Sequence, residues 1–136
     1  MMDIQVMKVG VVSCSGEEIP EGTLCRLACR KVLDERPGET VTICLPLFIA
    51  GGEEERTFAA NYPTITVDGC DKLCAAKATE MLSGKPSKSL SIPEILKKRG
   101  LAPPTKLRHF GTEEEAAVKA VAEEIARAVD EVLEED

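Results

Sequence analysis

A chain of 136 residues, 43% hydrophobic and 30% charged, is sized for one compact domain and can bury roughly two-thirds of the surface its unfolded form exposes. Aromatics make up only 3% of the chain and the net charge is −7, which argues against base-stacking platforms and phosphate-backbone binding. No apolar run reaches the roughly 18 residues a membrane span needs, and the first residues carry no basic segment ahead of an apolar one, so neither a span nor a signal peptide is expected and the expected setting is cytoplasmic.

Residues 6–13 are β-rich and mostly apolar (Val6, Val9, Val11, Val12) and predict a buried strand. A turn-rich stretch follows to Gly22, whose Gly16 and Gly22 read as turn residues rather than as an anion-binding loop. Residues 23–35 place Cys25, Ala28, Cys29 and Val32 on one helical stripe, and Pro37-Gly38 stops that helix. Residues 41–44 predict a second strand ending at Cys44. The apolar loop 45–50 then leads through Gly51-Gly52 to a short helix over 53–61.

A third strand is expected over 64–67, a helix over about 72–82 and a fourth strand over 88–91. Ser91 and Glu94 have capping-box spacing for a short helix closed by Gly100, and Thr112 and Glu115 repeat that spacing ahead of a long last helix. Val118, Val121, Ile125, Val129 and Val132 form its apolar face. Residues 112–136 hold ten acids and two bases, so this acidic helix has a local charge of −8 while the rest of the chain is near neutral. A solvated face is the simplest account of that acidity, with a docking surface for a protein partner as the alternative.

Strands and helices alternate with short connections. The predicted fold is therefore a single three-layer α/β/α domain over 1–136, with a doubly wound, mostly parallel four-stranded sheet in the order 2-1-3-4. A parallel sheet lines up all strand C-termini along one edge, where such folds place their ligands. Cys14, Cys44 and Cys70 all fall at or just past predicted strand ends, and Cys74 follows four residues after Cys70. Four thiols from three segments are thus expected at one edge. A closed tetrahedral zinc site takes four thiolates at about 2.3 Å, and an iron–sulfur cluster uses the same ligand set. Spacing does not separate the two. Cys25 and Cys29 belong to the apolar stripe and read as buried core thiols, with Cys25 near enough to its helix start to serve as a substitute ligand.

The residues Cys14-Ser15-Gly16, Gly22, Cys44-Leu45-Pro46 and Asp68-Gly69-Cys70 with Cys74-Ala75 resemble the DGC-domain family, described as zinc-binding proteins and named for the Asp-Gly-Cys motif. The resemblance covers roughly residues 8–115 and implies Cys14, Cys44, Cys70 and Cys74 as chelating residues. It implies no reaction. The extra Cys25 and Cys29 and the bulky Leu47-Phe48-Ile49 depart from the family's pattern.

Other chemistries find little support. Six residues after Cys14 stands Pro20 rather than the Arg of a phosphatase loop, and there is no Cys-x-x-Cys dithiol and no nucleotide-binding glycine loop. The lone His109 reads as a surface or core-edge residue, Asp68 as a loop-organising turn residue, and Arg26 and Arg30 as solvated. The loop 45–50 reads as an apolar lid, a docking segment for a protein partner, or part of the core. The sequence thus predicts a metal-binding protein. The alternatives are a redox protein using the same cysteines and an interaction module with structural cysteines, and no reaction class is assigned.

Overall fold

The structure, a computed structural model, describes residues 8–14 and 16–135; Val6 and Met7 of the predicted first strand lie outside them. The chain runs β1 (Val9–Ser13), α1 (Pro20–Glu35), β2 (Thr40–Val41), α2 (Leu47–Ala50), α3 (Glu53–Arg56), α4 (Phe58–Asn61), β3 (Thr64–Asp68), α5 (Cys74–Leu82), β4 (Lys88–Ser91), α6 (Ile92–Arg99) and α7 (Thr112–Glu134). The four strands are all parallel in the order β2-β1-β3-β4, as the alternation of elements predicts.

Strand alternation assigns the two faces. Val9 and Val11 of β1 and Ile65 and Val67 of β3 join the larger core with α1, α6 and α7. Val12 points the other way, into a smaller core with Phe48 of α2 and Phe58 of α4. Gly10 makes room there. A β-carbon at Gly10 would lie 2.7 Å from Phe58 Cε1, so the glycine is what lets the aromatic ring approach the sheet. In α7, Val121, Ile125, Val129 and Val132 are buried as its periodicity predicts.

Several boundaries differ from the sequence reading, each for a local reason. Helix α1 starts three residues early because Pro20 occupies a first-turn position, where its fixed φ and missing N–H cost nothing. Strand β2 stops at Val41 because the Thr42 hydroxyl, rather than a ladder amide, donates to the Val11 carbonyl at 2.7 Å. Cys44 therefore lies in the following loop and not at the strand end. The predicted loop 45–50 contains the one-turn helix α2, and the helix expected over 53–61 is split at Thr57, whose hydroxyl bonds back to the Glu54 carbonyl. Helix α7 is capped one residue earlier than its Thr112/Glu115 spacing implies. The Gly111 amide donates to Glu114 Oε1 at 2.7 Å, and Glu114 is buried. Ser91 caps α6 and Gly100 closes it in the left-handed conformation, as predicted.

Helix α6 is fastened to α7 by charge. Glu124, almost fully buried, receives Lys98 Nζ at 3.0 Å and Arg99 Nε at 2.8 Å, with Arg127 at 3.6 Å. Burial alone would push its carboxyl up, but the bonds from Lys98 and Arg99 outweigh burial and hold it below the usual range. A carboxylate depressed in the folded state contributes stability that is complete above its unfolded value, about 4.3, and is lost as pH falls through the folded one. Glu124→Gln is expected to lower the melting temperature clearly at pH 7. Thermal melts should show the gap to wild type closing as the pH is taken below about 4.

Candidate metal centre

The C-terminal edge of the sheet gathers the loops that follow β1, β2 and β3. Cys14 comes directly after β1, Cys70 two residues after β3, Cys74 is the first residue of α5, and Cys44 is three residues past β2. None of the four is in a disulfide. Cys14 and Cys70 are half-buried, and Cys44 and Cys74 are exposed.

Two of these loops are held together by backbone contact that only glycine permits. A β-carbon at Gly22 would lie 1.7 Å from the Gly16 carbonyl oxygen, and one at Gly69 would lie 2.8 Å from the Gly22 nitrogen. The β1–α1 loop, the first turn of α1 and the β3–α5 loop are thus stacked without side chains between them. Gly22 is thus a packing position rather than a turn residue, whereas a β-carbon at Gly16 would meet only the Glu18 side chain, at 3.0 Å. The same approach brings the Gly69 N–H to Cys14 Sγ at 3.3 Å.

Asp68 organises the other side of the loop. Its carboxylate is buried and accepts the amides of Ala75 at 2.6 Å and Ala76 at 3.2 Å. It thereby caps α5 from the strand end, a task that the residue before the helix, Leu73, has no side-chain group to perform. Burial raises the Asp68 carboxyl above its ordinary range, against the lowering effect of those two amides and of Lys77. Leu73 is left-handed at φ 55°, a conformation that costs a branched side chain on the order of 1 kcal/mol. That kink ends the loop sharply and puts Cys74, rather than residue 72, at the start of the helix.

Cys25 and Cys29 are buried in the larger core, as expected. Cys25 is also tied to the edge. Its thiol donates to the Val67 carbonyl at 3.0 Å, which also accepts the Cys14 amide at 3.0 Å, and it shares a 3.3 Å hydrogen bond with the Ser13 hydroxyl. The Cys14 thiol is pushed well above its ordinary value, first by the Cys25 thiol beside it and then by burial, against the lowering effect of the Gly16 and Gly69 amides. For Cys25 the contact with Cys14 lowers the value, while Cys29 and burial outweigh it and raise it.

Cys14 and Cys44 line one cleft of about 300 Å³ with Arg26 and Arg30 of α1. Cys70 and Cys74 stand on the neighbouring loop and are not among its lining residues. Among the described residues no three or more Cys, His, Asp or Glu side chains are gathered around a common point. Donor chemistry fits a thiophilic ion: four unoxidised sulfurs on adjacent loops, one already accepting an amide N–H. The side chains are not closed around one position. His109 and Asp71 are exposed. Phe48 is fully buried and anchors the 45–50 segment to the smaller core, while Leu47 and Ile49 on the same turn are exposed. Sequence reasoning reads the two arginines as solvated, which their side-chain exposures of 36% and 71% bear out, but does not foresee that they border the cleft. The available signal was their position, each one residue past a cysteine of the buried stripe, which puts them on its border.

The architecture is that of a three-layer α/β protein with a cysteine-bearing edge. A sequence model of the DGC domain matches residues 10–132, nearly the whole chain, and the protein belongs to the DGC-domain family. No curated protein and no solved structure matches the chain. Among the described residues, no helix is long and apolar enough to cross a membrane.

Two stability measurements check the loop architecture. Gly22→Ala is expected to cost about 2–3 kcal/mol, since backbone must move, while Gly38→Ala, whose β-carbon meets nothing within 4 Å, should stay within about 0.5 kcal/mol of wild type; denaturant unfolding separates them. Asp68→Ala leaves two α5 amides without their acceptor and should cost about 1–2 kcal/mol, with hydrogen exchange at Ala75 and Ala76 accelerated beyond that of the core strands.

Proposed function

We propose that the protein binds zinc through Cys14, Cys44, Cys70 and Cys74, and that the ion ties together the loops after β1, β2 and β3. The observation that supports this reading most is the placement of four cysteines, none in a disulfide, from three separate segments in the loops at one sheet edge. Membership of the DGC-domain family supports it independently.

When bound, zinc supplies a closed, redox-inert crosslink among thiolates. The chain's own residues do the rest. Gly69 directs an N–H at the Cys14 sulfur, where it favours the thiolate over the thiol. Cys74 stands at the amide end of α5, where the helix dipole favours negative charge. Asp68 fixes the orientation of that end through the Ala75 and Ala76 amides. Cys44 and Cys74, the exposed pair, are the ligands with room to adjust when the site closes. The buried thiols Cys25 and Cys29 belong to the packing of α1 and not to the ligand set. A tetrathiolate of this kind keeps no coordination position open for a substrate, so the reading is of a metal-binding protein without an assigned reaction.

Elemental analysis of protein purified without oxygen or added metal should give about one zinc per chain and a colourless solution. Cys70→Ser should lose the metal and lower the melting temperature together, since zinc held by a folded site contributes on the order of 10 kcal/mol. Cys29→Ala should keep the metal. Stoichiometric zinc retained by Cys70→Ser would sink the ligand assignment, and iron with matching sulfide would replace zinc by a cluster. Should the variant fail to fold, competition of the wild-type protein against a chromophoric zinc chelator measures the affinity directly, and failure to compete would sink the zinc reading.

A further inference from the structure

The cleft between α1 and the ends of β1 and β2 is lined by Cys14 and Cys44 and also by groups that the four-cysteine reading does not use. Among the described residues its lining includes two cationic side chains, Arg26 and Arg30, and no acidic one. Its walls are mainly apolar, with Val11, Leu33, Ile43 and Leu45 prominent. At about 300 Å³ it stands at the lower end of the range for small-molecule sites.

Arg26 carries the argument furthest. Its Nε is shielded from water and has no hydrogen-bond partner among the described residues. That N–H is out of reach of a ligand in the open cleft, and the donors such a ligand meets are those of the outer head group, on a side chain 36% exposed. Among the described residues the acid Arg26 meets is Glu17, whose Oε1 lies 3.2 Å from Nη2, one contact for a group with five donors in a rigid fork. Arg30, one turn further along the same helix, is paired with Asp34 at 3.9 Å, and both of those side chains are largely exposed. A surface pair of that kind leaves the arginine available.

We propose that this cleft binds a small organic carboxylate with a short apolar tail, the acid group held by Arg26 with Arg30 beside it and the tail laid against Leu33, Ile43 and Leu45. A fork of N–H donors matches the two oxygens of a carboxylate, and an apolar wall favours an alkyl tail over a bare inorganic ion. Cys14 and Cys44 also line the cleft, but no thiolate takes part in holding the acid, so hexanoate binding and zinc content are read out separately.

The test is titration of the full-length protein with sodium hexanoate, followed by the methyl NMR signals of isoleucine and leucine. Saturable binding that shifts Ile43 and Leu45 is expected, with acetate and the uncharged hexanol each at least about tenfold weaker, since one lacks the tail and the other the charge. Arg26→Gln should weaken hexanoate by about tenfold or more, and Arg30→Gln by less. Arg26→Lys, which keeps the charge and loses the fork, should also weaken it and serves if the glutamine variant does not fold. No saturation up to about 20 mM hexanoate would overturn the proposal. So would inorganic phosphate or acetate binding as tightly as hexanoate, or Arg26→Gln binding unchanged.

Discussion

The cysteine-bearing edge depends on a contact between backbones. Gly16, Gly22 and Gly69 come from a loop, a helix start and a second loop, and their mutual approach leaves no space for side chains at Gly22 or Gly69. Without that stacking, the loop carrying Cys70 would stand further from β1, and the Gly69 amide would not reach the Cys14 sulfur. Because protein interiors are packed densely and deform poorly, this contact sets the spacing of the loops more firmly than the side chains on them do. The sheet brings the segments to one edge, and the glycines decide how closely they meet there.

Asp68 and Leu73 complete the constraint at the other end of the same loop. The Asp68 carboxylate pulls the first turn of α5 toward the end of β3 through two amides, at the cost of burying a charge. Leu73 then turns the chain sharply with a left-handed residue. Between these two fixed points, Gly69 to Lys72 has little freedom. The Asp-Gly-Cys run therefore has a structural logic that can be stated residue by residue. Asp68 caps the next helix, Gly69 allows close backbone approach, and Cys70 is presented by the loop the other two define.

Much of this was legible in the sequence because it rests on periodicity and order. Val9, Val11 and Val12 mark a buried strand, the α7 valines mark its inner face, and alternating strands and helices give a parallel sheet in the order observed. What was not legible depends on contacts between distant segments. Nothing near Thr42 announces that its hydroxyl replaces a ladder amide at the Val11 carbonyl, so β2 is shorter than its β-rich composition implies and Cys44 falls in a loop. The role of Gly22 is set by Gly16 and Gly69, the latter 47 positions away in the chain. The capping of α7 by Glu114 rather than Glu115 is a choice between neighbours that local spacing could not make.

Helix α1 shows how one element serves several of these demands at once. Its inner stripe places Cys25 and Cys29 in the core, where Cys25 shares the Val67 carbonyl with the Cys14 amide and so links the helix to both central strands. Its first turn contains Gly22, which admits the two loops. Its border carries Arg26 and Arg30 into the cleft beside Cys14 and Cys44. A side chain on such a border has one edge against apolar residues and the other toward solvent, and for a long cation this buries the stem while leaving the head group to seek a partner. Arg26 fits that description, with Nε shielded from water and the outer nitrogens reaching Glu17. The thiols and the arginines thus share an edge but differ in chemistry, sulfur being a soft donor and guanidinium a fixed cation.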